Sequence, residues 1–111
     1  MPASPLYELM ATIYDRKANP PERSYTTKLM AGGVEKIVGK IVEEAAEVVE
    51  AAAESGDAGR EHLTCEAVDL IYHLFVMLAH RDISLADVEQ EIARRFGVSG
   101  LDEKAARREP S

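Results

Sequence analysis

The chain has little of what would place it in an oxidising compartment, in a membrane or on a nucleic acid. A single cysteine, Cys65, stands among its 111 residues. No internal disulfide can form, and a reducing, cytoplasmic setting is expected. Tryptophan is absent and aromatics make up only 5%, which leaves core packing to Leu, Ile, Val, Ala and Met. Positive charge is in deficit, with 13 Lys and Arg against 20 Asp and Glu for a formal charge of −7. Such a surface repels phosphate backbones and anionic lipid, so neither nucleic acid nor membrane is expected as a partner. Met1 to Ala11 offers neither a basic n-region nor a long apolar run, so no secretory leader is expected. The most apolar stretch, Leu70 to Ala79, is interrupted by His73 and falls short of the about 20 residues that span a bilayer. Strand-like alternation is missing too. With 46% hydrophobic residues and abundant Ala, Glu, Lys and Arg, the chain reads as one all-α domain over residues 1–111.

Punctuation divides that domain. Ser4 followed by Pro5 is an N-cap with proline in the first turn, and Leu6, Leu9, Met10, Ile13 and Tyr14 then recur at helical spacing up to Asn19-Pro20-Pro21. Ser24 or Thr26 caps a short turn ending at Gly32-Gly33. A long helix is expected from about Glu35 to about Glu54, with Ile37, Ile41, Ala45, Val48, Val49 and Ala52 on one face. Ser55 to Gly59 breaks it, and a second long helix follows over 62–80. So short a connection forces an antiparallel hairpin. After Arg81-Asp82-Ile83, Ser84 and Asp87 form a capping box with aspartate in the usual glutamate place, and Leu85, Val88, Ile92 and Phe96 give the last helix its stripe before Gly97. Residues 98–111 read as a docked or flexible tail. The helix over 62–80 is apolar around most of its surface, more than one antiparallel neighbour can cover. Two chains are therefore expected to associate into a four-helix-bundle-like core.

One strip of that helix is not apolar. Glu66, Asp69 and His73, flanked by His62 and His80, fall within roughly 60° of one another. Buried carboxylates are costly unless paired or bound to cations. On the preceding helix Glu44 borders the apolar stripe and Glu47 follows one turn along, so each helix offers an acid pair spaced by three residues. An antiparallel hairpin can bring the pairs face to face. Glu43 and Glu50 point away from the stripe, as a solvated face would; Glu43 is kept, with His73, among groups that could orient the ligands. His73 itself reads first as a core histidine bonded to a nearby acid or carbonyl, His62 and His80 as solvent-facing or helix-end residues, and Cys65 as a small buried side chain.

Hard oxygen donors without paired cysteines favour Mg²⁺, with Mn²⁺ as a substitute, over zinc. Magnesium binds through few carboxylates plus substrate phosphates, which points to a nucleotide or other polyphosphate. The chemistry open to such a site is in-line attack of water on phosphorus, with a carboxylate accepting the proton. In an acidic protein the remaining phosphates need local cations, and Lys28, Lys40, Lys104 and Arg107 are the candidates.

The segments Ser24-Tyr25-Thr26-Thr27-Lys28-Leu29, Glu35 to Lys40 leading into Glu43-Glu44-Ala45-Ala46-Glu47, Asp69 to Leu74, and Gly97 to Lys104 together resemble the phosphoribosyl-ATP pyrophosphatases of histidine biosynthesis, within the all-α nucleotide pyrophosphohydrolases. One departure is Val42, where many relatives carry glycine. The resemblance implies a Mg²⁺-dependent homodimer that hydrolyses phosphoribosyl-ATP to phosphoribosyl-AMP and pyrophosphate. It also implies Glu44, Glu47, Glu66 and Asp69 as metal ligands, and a separate cyclohydrolase for the next step.

Three rivals are weaker. A housecleaning (d)NTP pyrophosphohydrolase shares the acid pairs but does not account for the Ser-Tyr-Thr segment or the Gly-Leu-Asp-Glu-Lys tail. A di-iron bundle wants Glu-x-x-His on two helices, and the Glu44 helix has no histidine. A plain coiled-coil or dimerisation module predicts that replacing Glu66 or Asp69 by apolar residues is harmless or stabilising.

Overall fold

In a computed structural model, residues 4–97 are described; they form four helices and no strand. α1 spans Pro5–Ala18, α2 Tyr25–Ala52, α3 Gly56–His80 and α4 Leu85–Phe96. The expected caps are in place. Ser4 Oγ accepts from Leu6 N at 3.2 Å, and Ser24 Oγ from Thr27 N at 3.2 Å. Ser84 and Asp87 exchange both capping-box bonds at 3.0 Å. Aspartate thus serves where glutamate is usual.

α2 starts ten residues before the expected long helix, because the segment capped by Ser24 is itself helical and runs into it. Its interior kinks at Gly33, whose φ of 75° and ψ of −170° lie outside the helical region and in one that side chains disfavour. The glycine stop read from the sequence is therefore a bend. α3 also begins earlier than expected, at Gly56. A Cβ on Gly59 would lie 2.6 Å from the Glu54 carbonyl oxygen, so the absence of a side chain there is what lets the two helices meet so closely. Contacts that pair Tyr25 with His73, Thr26 with Tyr72, and Glu54 with His62 run in opposite senses along the chain. The hairpin is antiparallel.

α1 packs on α3 and α2 at one end of this hairpin. Met10, Ile13, Leu29, Ile37, Phe75, Val76, Ala79 and Leu85 form the core there. α3 ends in a Schellman motif: Ile83 N donates to Leu78 O at 2.8 Å and Asp82 N to Ala79 O at 3.0 Å, with Asp82 at a φ of 60°. Lys17 of α1 clamps this terminus, donating to Ala79 O at 2.8 Å and Asp82 Oδ1 at 2.6 Å. Tyr14 adds a bond to Ile83 O at 2.7 Å.

The other end of the hairpin is thinly covered, which corrects one expectation. As expected of a helix too apolar for a single neighbour to cover, α3 is not buried all round within one chain: its buried side chains begin at His73, while Val68 is 56% exposed. Cys65, expected inside, is exposed. The buried residues that α1 and α4 contribute cluster with Phe75, Val76 and Ala79, at the opposite end of the helix. Length also differs from the expectation of a short apolar run: the 25 residues of α3 are long and apolar enough to cross a membrane by that measure alone. Glu66 and Asp69 interrupt it, however, and its far end packs on α1 and α2.

Ser84→Ala removes one of the two capping-box bonds. It is expected to destabilise the chain by about 1 kcal/mol, read as a lowered urea midpoint with an unchanged slope.

Candidate metal centre

The hairpin register brings Glu44 of α2 opposite Glu66 and Asp69 of α3. Each of the three presents a carboxylate oxygen, and these atoms all lie within 4.8 Å of one another. Glu44 is buried, Glu66 half-buried and Asp69 exposed, so the cluster opens to solvent on the Asp69 side. Glu47, half-buried one turn beyond Glu44, abuts the carboxyls of both Glu44 and Glu66. Three of the four acids singled out by sequence therefore converge with Glu47 beside them, and neither Glu44 nor Glu47 faces open solvent.

Their electrostatics follow from that crowding. Burial pushes the Glu44 carboxyl up to about 7, with contact from Glu47 and the charges of Glu47 and Asp69 adding to it and Lys40 opposing. Glu66 is raised as well, first by Glu47, then by burial and by the charges of Glu47 and Asp69. Glu44 Oε2 and Glu66 Oε2 are buried without a hydrogen-bond partner. Orphaned carboxylate oxygens aimed into one cluster are what a hard divalent cation satisfies. A donor set made only of carboxylates fits Mg²⁺ or Mn²⁺.

The surrounding residues divide differently from expectation. His73 is buried, as a core histidine should be: its Nδ1 contacts the Asp69 carbonyl at 2.8 Å, and its Nε2 meets the Tyr25 hydroxyl at 2.9 Å. A donor at Nδ1 leaves Nε2 to accept from Tyr25. Thr26 bonds Tyr72 beside it, and the rings of Tyr25 and Tyr72 stack with centroids 6.1 Å apart. The segment ahead of the Gly33 kink is thereby latched to the turn of α3 that carries Asp69.

His62 is exposed, as expected, but it is also paired. Its Nδ1 lies 2.8 Å from Glu54 Oε2 and its Nε2 3.4 Å from Glu66 Oε1. The bond to Glu54, reinforced by both acidic charges, raises its pKa. Sequence reading missed Glu54 altogether; the signal was the short connection, which sets the end of α2 against the first turns of α3. Glu43 is exposed and accepts from Lys40 at 3.0 Å, so its visible partner is a cation and not a candidate ligand. Lys28 is exposed on α2 before the kink and Lys40 half-buried after it. Lys104 and Arg107 lie outside the described residues.

Comparison with known proteins meets this geometry from another direction. The family model described as Phosphoribosyl-ATP pyrophosphohydrolase matches residues 6–96. A phosphoribosyl-ATP pyrophosphatase of Rhodopirellula baltica is 57% identical over 109 residues, spanning 96% of this chain and 91% of its own length. Its namesake in Jannaschia is 50% identical over 104 residues, at 94% and 99% coverage. That of Geobacter sulfurreducens is 47% identical over 105 residues, at 94% of both chains.

A carboxyl whose pKa is higher in the folded than in the unfolded chain binds more protons when folded, and so favours folding at low pH. For Glu44 that contribution is complete below its ordinary value of 4.5 and is lost as pH rises through about 7. Metal-free protein is thus expected to melt at a lower temperature at pH 8 than at pH 5.5, and added Mg²⁺ should narrow the gap. Thermal melts with and without chelator check this.

Proposed function

Because the chain belongs to the phosphoribosyl-ATP pyrophosphohydrolase family, we propose that it hydrolyses phosphoribosyl-ATP to phosphoribosyl-AMP and pyrophosphate, the second step of histidine biosynthesis. The observation that carries this reading is the convergence of Glu44, Glu66 and Asp69 from two helices, with buried oxygens that lack partners. Glu44, Glu47, Glu66 and Asp69 hold Mg²⁺, or Mn²⁺ in its place. When bound, the ion neutralises polyphosphate charge and makes water more acidic.

The chain's own groups do the rest. Glu47, beside Glu44 and Glu66 at the half-buried edge of the cluster, takes the proton as a water oxygen forms its bond to phosphorus. The phosphoric anhydride bond breaks, and its electron pair leaves with the departing phosphate. Lys28 and Lys40, on either side of the kink, hold phosphates or the phosphoribosyl group, joined by Lys104 and Arg107 of the tail. The latch of Tyr25 on His73 keeps Lys28 and the Asp69 turn in fixed relation. Two chains associate through the apolar surface left open on the hairpin. Val42, Val49 and Val68, at 63%, 71% and 56% exposure, supply that surface, and their burial completes a four-helix core.

Purified protein with Mg²⁺ is expected to release pyrophosphate from phosphoribosyl-ATP in strong preference to dNTPs. Faster turnover of dNTPs would favour a housecleaning role. Glu47→Gln should lower the rate by about 10²-fold or more while leaving gel-filtration size unchanged. Near-normal turnover would remove Glu47 from the site.

A further inference from the structure

Glu66 uses its two carboxylate oxygens differently. Oε2 is buried and unpartnered, whereas Oε1 lies 3.4 Å from His62 Nε2. On the opposite side of the imidazole, Nδ1 is 2.8 Å from Glu54 Oε2. Glu54 follows the end of α2, in the connection that Gly59 draws tight: its carbonyl oxygen sits where a Cβ on residue 59 would come within 2.6 Å. The backbone of Glu54 is consequently fixed against the first turn of α3. His62, one turn before Glu66, is exposed, and what orients its ring is the bond to Glu54.

We propose that Glu54 and His62 form a positioning chain that holds the Glu66 carboxylate by Oε1 and thereby presents Oε2 to the divalent cation. The proposal rests on the cation reading of the acid cluster, and it adds to that cluster two residues that touch neither ion nor substrate. A free carboxylate on a side chain with three rotatable bonds must be ordered each time a cation binds, whereas one held by an ion-pair contact is ordered beforehand. The hairpin connection would then tune metal affinity, and not merely join two helices.

Titration with Mn²⁺, followed by the electron paramagnetic resonance signal of the free ion, tests this without recourse to activity. His62→Leu is expected to weaken Mn²⁺ binding by about 10-fold, as loss of a ligand-orienting partner does. His62→Gln, which keeps an N–H donor at similar reach, should retain most of the affinity. Glu54→Gln should weaken binding in the same direction, and the double variant Glu54→Gln with His62→Leu should be no weaker than His62→Leu alone, because both act through one contact. Helical circular dichroism confirms that each variant is folded. Unchanged or tighter Mn²⁺ binding in folded His62→Leu would overturn the positioning chain. Failure of the wild-type chain to bind Mn²⁺ at all would instead overturn the cation reading beneath it.

Discussion

Mutual repulsion among carboxylates is the constraint around which this molecule is arranged. Two unit charges within 4.8 Å of each other, at an effective dielectric of 20, oppose each other by roughly 3.5 kcal/mol or more. A domain's whole stability is only about 5–15 kcal/mol. The chain cannot carry several such pairs ionised without relief. Two routes of relief are visible: a proton, which burial and its acidic neighbours retain on Glu44 up to about pH 7, or a cation at the unpartnered oxygens. An acid cluster of this kind is stable in proportion to what it binds.

What opposes the repulsion sits elsewhere. The core of Met10, Ile13, Leu29, Ile37, Phe75, Val76, Ala79 and Leu85 lies at one end of the hairpin, where α1 and the start of α4 lean on it. Lys17 and Tyr14 fasten that end by satisfying backbone carbonyls at the close of α3. The acid cluster lies toward the other end, where packing within one chain is thin and valines stand open. Between the two, the buried His73 borrows the Asp69 carbonyl and the Tyr25 hydroxyl. Rigidity made at one end is thus delivered to the turn that carries an acid at the other.

Much of this could be read residue by residue. Capping is a matter of a few bonds within one turn, so Ser4 before Pro5 and Ser84 with Asp87 announced helix starts correctly. The acid pairs of α2 and α3 were legible because spacing by three fixes a shared face on any helix. Gly33 was legible as a break but not as a bend, since whether a helix resumes in line depends on what its far half packs against. Cys65 was misjudged, and the partners of the exposed His62 missed, for a related reason. Exposure of one face of α3 and the reach of an imidazole across a connection are set by neighbours, and no window of sequence contains them.

By itself, then, the amino-acid order determined that the fold is helical, where the first and last helices begin, which acids share a face and which family the motifs resemble. These follow from interactions within a turn or two of chain. Only the tertiary structure decided that Glu44 is buried while Asp69 opens outward, that Glu66 keeps one oxygen for His62 and leaves the other unpartnered, and that Glu54 belongs to the same constellation. Those outcomes depend on the register and closeness of two helices pressed together at Gly59, where burial and distance set the charge of every group between them.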